Sequence, residues 1–153
     1  MTSAGGDSNR ALMVDTNVLV YAALPQAPLH GAAQTALRAA RDAGTPLWIS
    51  RQIIRKYIRS ILGITAQARV PLPSPDVAEA VRRLTQLFSV ADEADAVTAH
   101  LIRLIEILPM GGAIIHDANI VASMQAYDVE RLLTHNGGDF ARFSALITVV
   151  PLV

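Results

Sequence analysis

Three aspartates stand where an apolar run gives way to a polar or turn segment. Asp15 follows Leu12-Met13-Val14, Asp117 follows Ile114 and Ile115, and Asp139 follows the Asn136-Gly137-Gly138 turn. Taken singly, each has an ordinary explanation. Asp is a favoured helix cap, a carboxylate complements the dipole of a helix it opens, and turn chemistry accounts for an Asp after Asn-Gly-Gly. Together they ask for more, because three carboxylates brought to one rim repel one another unless a cation sits among them. An all-oxygen set of this kind selects a hard divalent ion, Mg2+ or Mn2+. Such an ion keeps waters, and phosphodiester hydrolysis uses them. Asp15, Asp117 and Asp139 are therefore the candidate catalytic and metal-ligating residues.

The elements that must carry them follow from the apolar pattern. Ala11 to Val14 reads as a short buried strand ending at Asp15, with Thr16 and Asn17 opening a helix that Pro25 stops. Leu29 to Ala43 has helical spacing and Gly44 as its stop. Pro46 to Ile49 is a second strand. Ser50 caps a helix from Arg51 whose stripe of Ile53, Ile54, Tyr57, Ile58, Ile61 and Leu62 leaves Arg51, Arg55 and Arg59 on another face, with Gly63 as its predicted end. Three alternating prolines predict an extended loop from Ile64 to Pro75. Helices follow from Ser74 to about Phe88, Glu93 to Leu108 and His116 to Tyr127, then a strand at Arg131 to Thr134, a turn at Asn136 to Asp139, and a last strand at Leu146 to Val150. Strands separated by helices imply a parallel sheet covered on both faces, an α/β fold in which ligands bind at the carboxyl ends of the strands.

Composition narrows the field. With 52% hydrophobic and 17% charged residues in a chain of 153, disorder is excluded, and the apolar runs break well short of the roughly 18 residues of a membrane span. Residues 1–10 read as a loose tail rather than a signal peptide, and residues 11–153 as one domain. The chain has no cysteine, so disulfides, thiolate metal sites and cysteine nucleophiles drop out, and a reducing, cytoplasmic setting is permitted. Thirteen Lys and Arg balance thirteen Asp and Glu, so any nucleic-acid contact must come from a local patch.

Four ordered segments resemble a known family. Val14-Asp15-Thr16-Asn17, Ile49-Ser50-Arg51-Gln52, His116-Asp117-Ala118, and Leu133-Thr134-His135-Asn136 leading to Asp139-Phe140 are similar to the motifs of PIN-domain ribonucleases, nearest in pattern to the VapC toxins of bacterial toxin-antitoxin pairs. The resemblance runs from Leu12 to Val150. It implies a three-layer α/β/α fold, an RNA substrate, a divalent-metal site and an antitoxin partner that inserts an Arg into the acidic groove. Asp15, Asp117 and Asp139 match the family's acidic ligands, Thr16 and Asn17 its first polar pair, and Thr134 and Asn136 the polar residues of its last motif. A homodimer is expected as well, from the Ala-lined and apolar helix faces.

One position departs from that pattern. The helix after the second strand usually carries a Glu in the acidic cluster, and Lys56, the only lysine of the chain, stands there. An ammonium offers no lone pair to a metal and competes with it for the aspartates. Lys56 admits three readings: a degenerate, non-catalytic binder, an inactivating change in a nuclease, or a shifted motif in which the side chain faces solvent. Impaired cleavage is the expectation, and an inactive protein-binding or RNA-binding module is the alternative.

Arg51, Arg55 and Arg59 could hold phosphates near the site, or form a solvated or partner-binding face. His116 and His135 are read as structural neighbours of the motifs, and Tyr21 and Tyr57 as packing residues with some capacity for base stacking. Two other α/β classes place an Asp after the first strand. A haloacid-dehalogenase-type hydrolase needs a second Asp where Asn17 stands, and a response-regulator receiver needs an acidic pair and a late Lys that are missing.

Overall fold

A computed structural model describes residues 10–67 and 74–153. The tail read over residues 1–10 therefore lies, Arg10 apart, outside the described residues, as does the centre of the predicted proline-rich loop. Five parallel strands form the sheet: β1 (Leu12–Val14), β2 (Leu47–Ser50), β3 (Ser89–Ala91), β4 (Arg131–Thr134) and β5 (Thr148–Pro151), in the order β3-β2-β1-β4-β5. The central strand has no polar side chain. Leu12, Met13 and Val14 are all buried, as a strand covered on both faces requires.

The chain builds outward from β1 through β2 to β3, then returns to the other side of β1 to lay down β4 and β5. That reversal leaves a crevice between the carboxyl ends of β1 and β4. Helices α1 (Thr16–Ala23), α2 (His30–Asp42), α3 (Arg51–Gln67) and α4 (Ser74–Leu87) pack in sequence, with α1 on both α2 and α3 and α3 on α4. Helices α5 (Asp95–Ile107) and α6 (Ile115–Ala126) form the other group, completing a three-layer α/β/α arrangement. Ala118 and the run from Ile120 to Met124 are all buried, so the carboxyl-terminal half of α6 sits deep in the molecule.

Several expected boundaries move. Helix α3 continues to Gln67 rather than stopping at Gly63. Gly63 does not take the left-handed conformation that ends helices, whereas Gly44 does, with φ 74°, just beyond the α2 cap. Ser50 caps α3 as expected, its Oγ accepting from Ile53 N at 3.2 Å. Strand β3 was not anticipated: three residues directly behind a helix leave no alternation to read, and the strand is defined by its pairing with β2. The Asn136 turn leads into a 3-10 helix over Gly137–Phe143. The last strand starts two residues later than expected and includes Pro151, tolerated because β5 is an edge.

Candidate active site

Asp15 leaves the end of β1 in an extended conformation and caps α1. Its Oδ1 accepts from Thr16 N at 2.7 Å. Its Oδ2 accepts from Thr134 Oγ1 at 2.8 Å and from Asn17 Nδ2 at 3.4 Å. Only 7% exposed, Asp15 is thus a buried carboxylate with both oxygens engaged, as burial of a charge requires. Asn17 bridges the crevice: its amide nitrogen also reaches Thr134 Oγ1 at 3.3 Å, and its Oδ1 accepts from His135 N at 3.1 Å. Thr134 Oγ1 in turn accepts from Asn136 N at 3.0 Å. The first and last motifs, far apart in the chain, are one hydrogen-bonded unit.

Asp139 rides on the 3-10 segment, which Phe140 and Phe143 pin to the core, 1% and 0% exposed with ring centroids 6.4 Å apart. Asp117 lies in the first turn of α6, where the helix dipole favours a carboxylate. Burial nevertheless holds its carboxyl above the usual carboxylate range. Asp139 and Asp15 push the same way, while Lys56 and His116 oppose them.

These residues surround one cleft of about 590 Å3. Asp15, Thr16, Asn17, Asp117, Asn136 and Asp139 line it, together with Lys56, Arg59, Ser60 and Gly63 from α3 and the apolar Val20, Tyr21, Ile64 and Phe140. Thr134 is buried beneath it. Arg51 and Arg55 are not brought in: Arg51 Nε pairs with Asp92 at 2.8 Å and Arg55 with Glu93 at 3.0 Å, at the start of the segment leading to α5. His135 meets Tyr21 edge to face, ring centroids 5.8 Å apart.

A positioning contact escaped the sequence reading. Gln52, one turn before Lys56 and 6% exposed, donates to His116 O at 2.8 Å and accepts from Asn119 Nδ2 at 2.9 Å. It therefore fixes the α3 wall to the first turns of α6, the element that carries Asp117. A glutamine on the apolar side of a helix was the available signal, because burial demands that both ends of its amide be matched.

As they stand these groups do not fit a divalent ion. Among the described residues, no three His, Asp or Glu side chains are disposed to hold one. Asp15 already accepts three hydrogen bonds within the protein, and an ammonium lines the same cleft. The Thr16 hydroxyl, in contrast, is buried without a hydrogen-bonding partner among the described residues.

A parallel sheet with its polar crevice at the β1–β4 reversal, walled by aspartates from three separate elements, has the architecture of the PIN domain. Solved toxin structures match it over nearly the whole chain. VapBC-1 of nontypeable Haemophilus influenzae is 18% identical, with 93% of this chain and 98% of that one covered at a TM-score of 0.64. A toxin-antitoxin complex from Klebsiella pneumoniae is 19% identical, covering 94% and 98%, at 0.64. VapC20 of Mycobacterium tuberculosis, a toxin that cleaves the sarcin-ricin loop, is 16% identical, covering 92% and 99%, at 0.61. The chain matches no protein-family model and no curated protein. At these identities the shared property is the fold, that of VapC-type PIN-domain toxins. Among the described residues, no helix is long and apolar enough to cross a membrane.

Proposed function

We propose that this chain is a PIN-type ribonuclease of the toxin-antitoxin kind in which Lys56 impairs a Mg2+- or Mn2+-dependent site. The observation that carries the reading is the meeting of Asp15, Asp117 and Asp139 in one cleft with Lys56, at the reversal of a PIN sheet. Three carboxylates are one ligand short of the family's set, and Lys56 weakens the negative field that draws a cation in. Asp15, Asp117 and Asp139 are the ligands in this reading, and Thr16, Asn17, Thr134 and Asn136 hold them in place. The substrate is RNA. The neighbours from Haemophilus and Klebsiella are complexes with antitoxins, and an antitoxin is the partner proposed here, on a homodimer in the cytoplasm.

The second reading is a binding module without cleavage, and the same lysine favours it. Cleavage of labelled RNA with Mg2+ or Mn2+ separates the two. The comparison is between the chain, Lys56→Glu, and Lys56→Glu combined with Asp15→Asn. Restoring a group that supplies about 3 to 4 kcal/mol of transition-state stabilisation raises the rate by about two to three decades, and Asp15→Asn abolishes the gain. If the chain already matches Lys56→Glu, position 56 is outside the site. If no variant cuts RNA, the binding module stands.

A further inference from the structure

A second cleft, of about 480 Å3, lies at the opposite end of the sheet from the aspartates. Val129 and Glu130, which directly precede β4, and Leu146, which precedes β5, are in its lining, so it opens at the amino ends of these strands. Leu104, Met124 and Val129 form a buried apolar floor. On the rim, Ile107 and Leu146 are large aliphatic side chains left exposed, and Ile102 and Ile105 continue the exposed apolar surface along α5. Solvated aliphatic side chains gathered on one helix and at the cleft beside it mark a surface that a partner covers.

The charge of the cleft sets the sign of that partner. Three carboxylates line it, Glu106, Asp128 and Glu130, against the single guanidinium of Arg103. Glu130 is paired with Arg10, whereas Glu106, Asp128 and Arg103 close no salt bridge among the described residues. Arg103 offsets one of the two free carboxylates. The carboxyl-terminal turns of α5 and α6 line the same cleft, and the negative ends of their dipoles keep the balance on the acidic side. Asp128 stands just past α6 at φ 56°, in the left-handed region where Gly is usual, and Val129 N donates to Met124 O at 2.9 Å to close the helix. The backbone that carries this carboxylate is thus set by the helix end and not by a ligand.

We propose that this surface docks an amphipathic, basic segment of a partner protein, with its apolar side chains on Ile107, Leu146 and the floor of the cleft and a lysine or arginine beside Glu106 and Asp128. Buried apolar area supplies most of the affinity, and the opposite charge on the rim selects the sign and register of the segment. The site is separate from the aspartate cleft, and docking here needs neither a metal nor RNA.

The test is fluorescence anisotropy of a labelled amphipathic peptide of repeating Leu-Lys-Lys-Leu, titrated with the intact chain, Ile107→Ser, Glu106→Gln, Asp128→Asn and Asp139→Asn. The expected result is saturable binding that Ile107→Ser weakens about tenfold, through loss of buried apolar area. Glu106→Gln and Asp128→Asn each weaken it about threefold, as for a partly solvated ion pair. Asn tolerates the left-handed backbone, so Asp128→Asn keeps the helix end, and circular dichroism confirms that every variant is folded. Asp139→Asn, in the other cleft, leaves binding unchanged, and a peptide of repeating Leu-Glu-Glu-Leu does not bind. The proposal is overturned by absence of binding, by equal binding of the acidic peptide, or by equal losses in Asp139→Asn and Asp128→Asn, which would assign the peptide to the aspartate cleft. It is overturned as well if sedimentation shows that the chain pairs with itself and that Ile107→Ser separates the copies, since a second copy then covers this face.

Discussion

Thr134 Oγ1 donates a 2.8 Å hydrogen bond to Asp15 Oδ2, locking the carboxyl end of β4 to that of β1. The same oxygen accepts from Asn136 N and Asn17 Nδ2. Thr134→Val keeps the shape of the side chain and removes every one of these contacts. It should cost about 1 to 3 kcal/mol, because a buried carboxylate loses a donor and two N–H groups lose an acceptor. Urea unfolding reads this as a lower midpoint with an unchanged slope, and Thr134→Ser should recover most of the loss.

Lys56→Glu should convert the cleft into a metal site detectable without any substrate. At an ion concentration a hundred times the dissociation constant, binding stabilises the folded state by about 2.7 kcal/mol. For a domain of this size that raises the melting temperature by roughly 5 to 10 °C. With Mg2+ or Mn2+ the intact chain should shift by less than about 2 °C. Equal shifts in the two proteins would place Lys56 outside the cation's surroundings.

The raised carboxyl of Asp117 makes a signed prediction. Burial, then Asp139 and Asp15, favour its neutral form in the folded protein. Between the unfolded value, about 3.9, and the raised folded value, the folded state binds more protons than the unfolded one. Stability from this group is therefore full below the window, falls as pH rises through it, and stays reduced above. Asp117→Asn removes that fall. Measured by urea unfolding in EDTA, its advantage over the intact chain should grow from acid to neutral pH. An advantage that shrank with rising pH would contradict the assignment.

Phe143 and Phe140 anchor the segment that carries Asp139. Phe143→Ala should cost about 3 to 5 kcal/mol, the range for deleting a buried ring. In the Lys56→Glu background, Phe143→Leu should lower RNA cleavage more than its smaller effect on stability accounts for, since Asp139 loses its placement. Loss of activity in proportion to unfolding alone would show that the ring supports the fold and not the site.

Arg51→Ala and Arg55→Ala should each change stability by less than about 1 kcal/mol. Both belong to exposed ion pairs, where solvent screening and side-chain entropy offset the attraction. Cleavage by the Lys56→Glu protein should be unaffected by either change.

What the sequence alone determined was the order of the elements and the positions at which carboxylates interrupt apolar runs. Periodicity and caps are local, so the buried strand before Asp15, the Ser50 cap and the apolar helix behind Asp117 could be read from neighbouring residues. The resemblance of four motifs to the PIN pattern added the expectation of a shared cleft. Three things were decided only by tertiary structure. Strand β3 exists because β2 offers it a hydrogen-bonding edge, and no local pattern encodes that. Arg51, Arg55 and Arg59 share one face of α3 in sequence, yet Asp92 and Glu93 neutralise Arg51 and Arg55 while Arg59 lines the cleft beside Lys56. Asp15 and Thr134 become hydrogen-bonded partners because the chain reverses about β1, bringing together two strand ends that are more than a hundred residues apart. Local chemistry sets what each side chain is able to do, and the pairing of distant strands sets which side chains do it together.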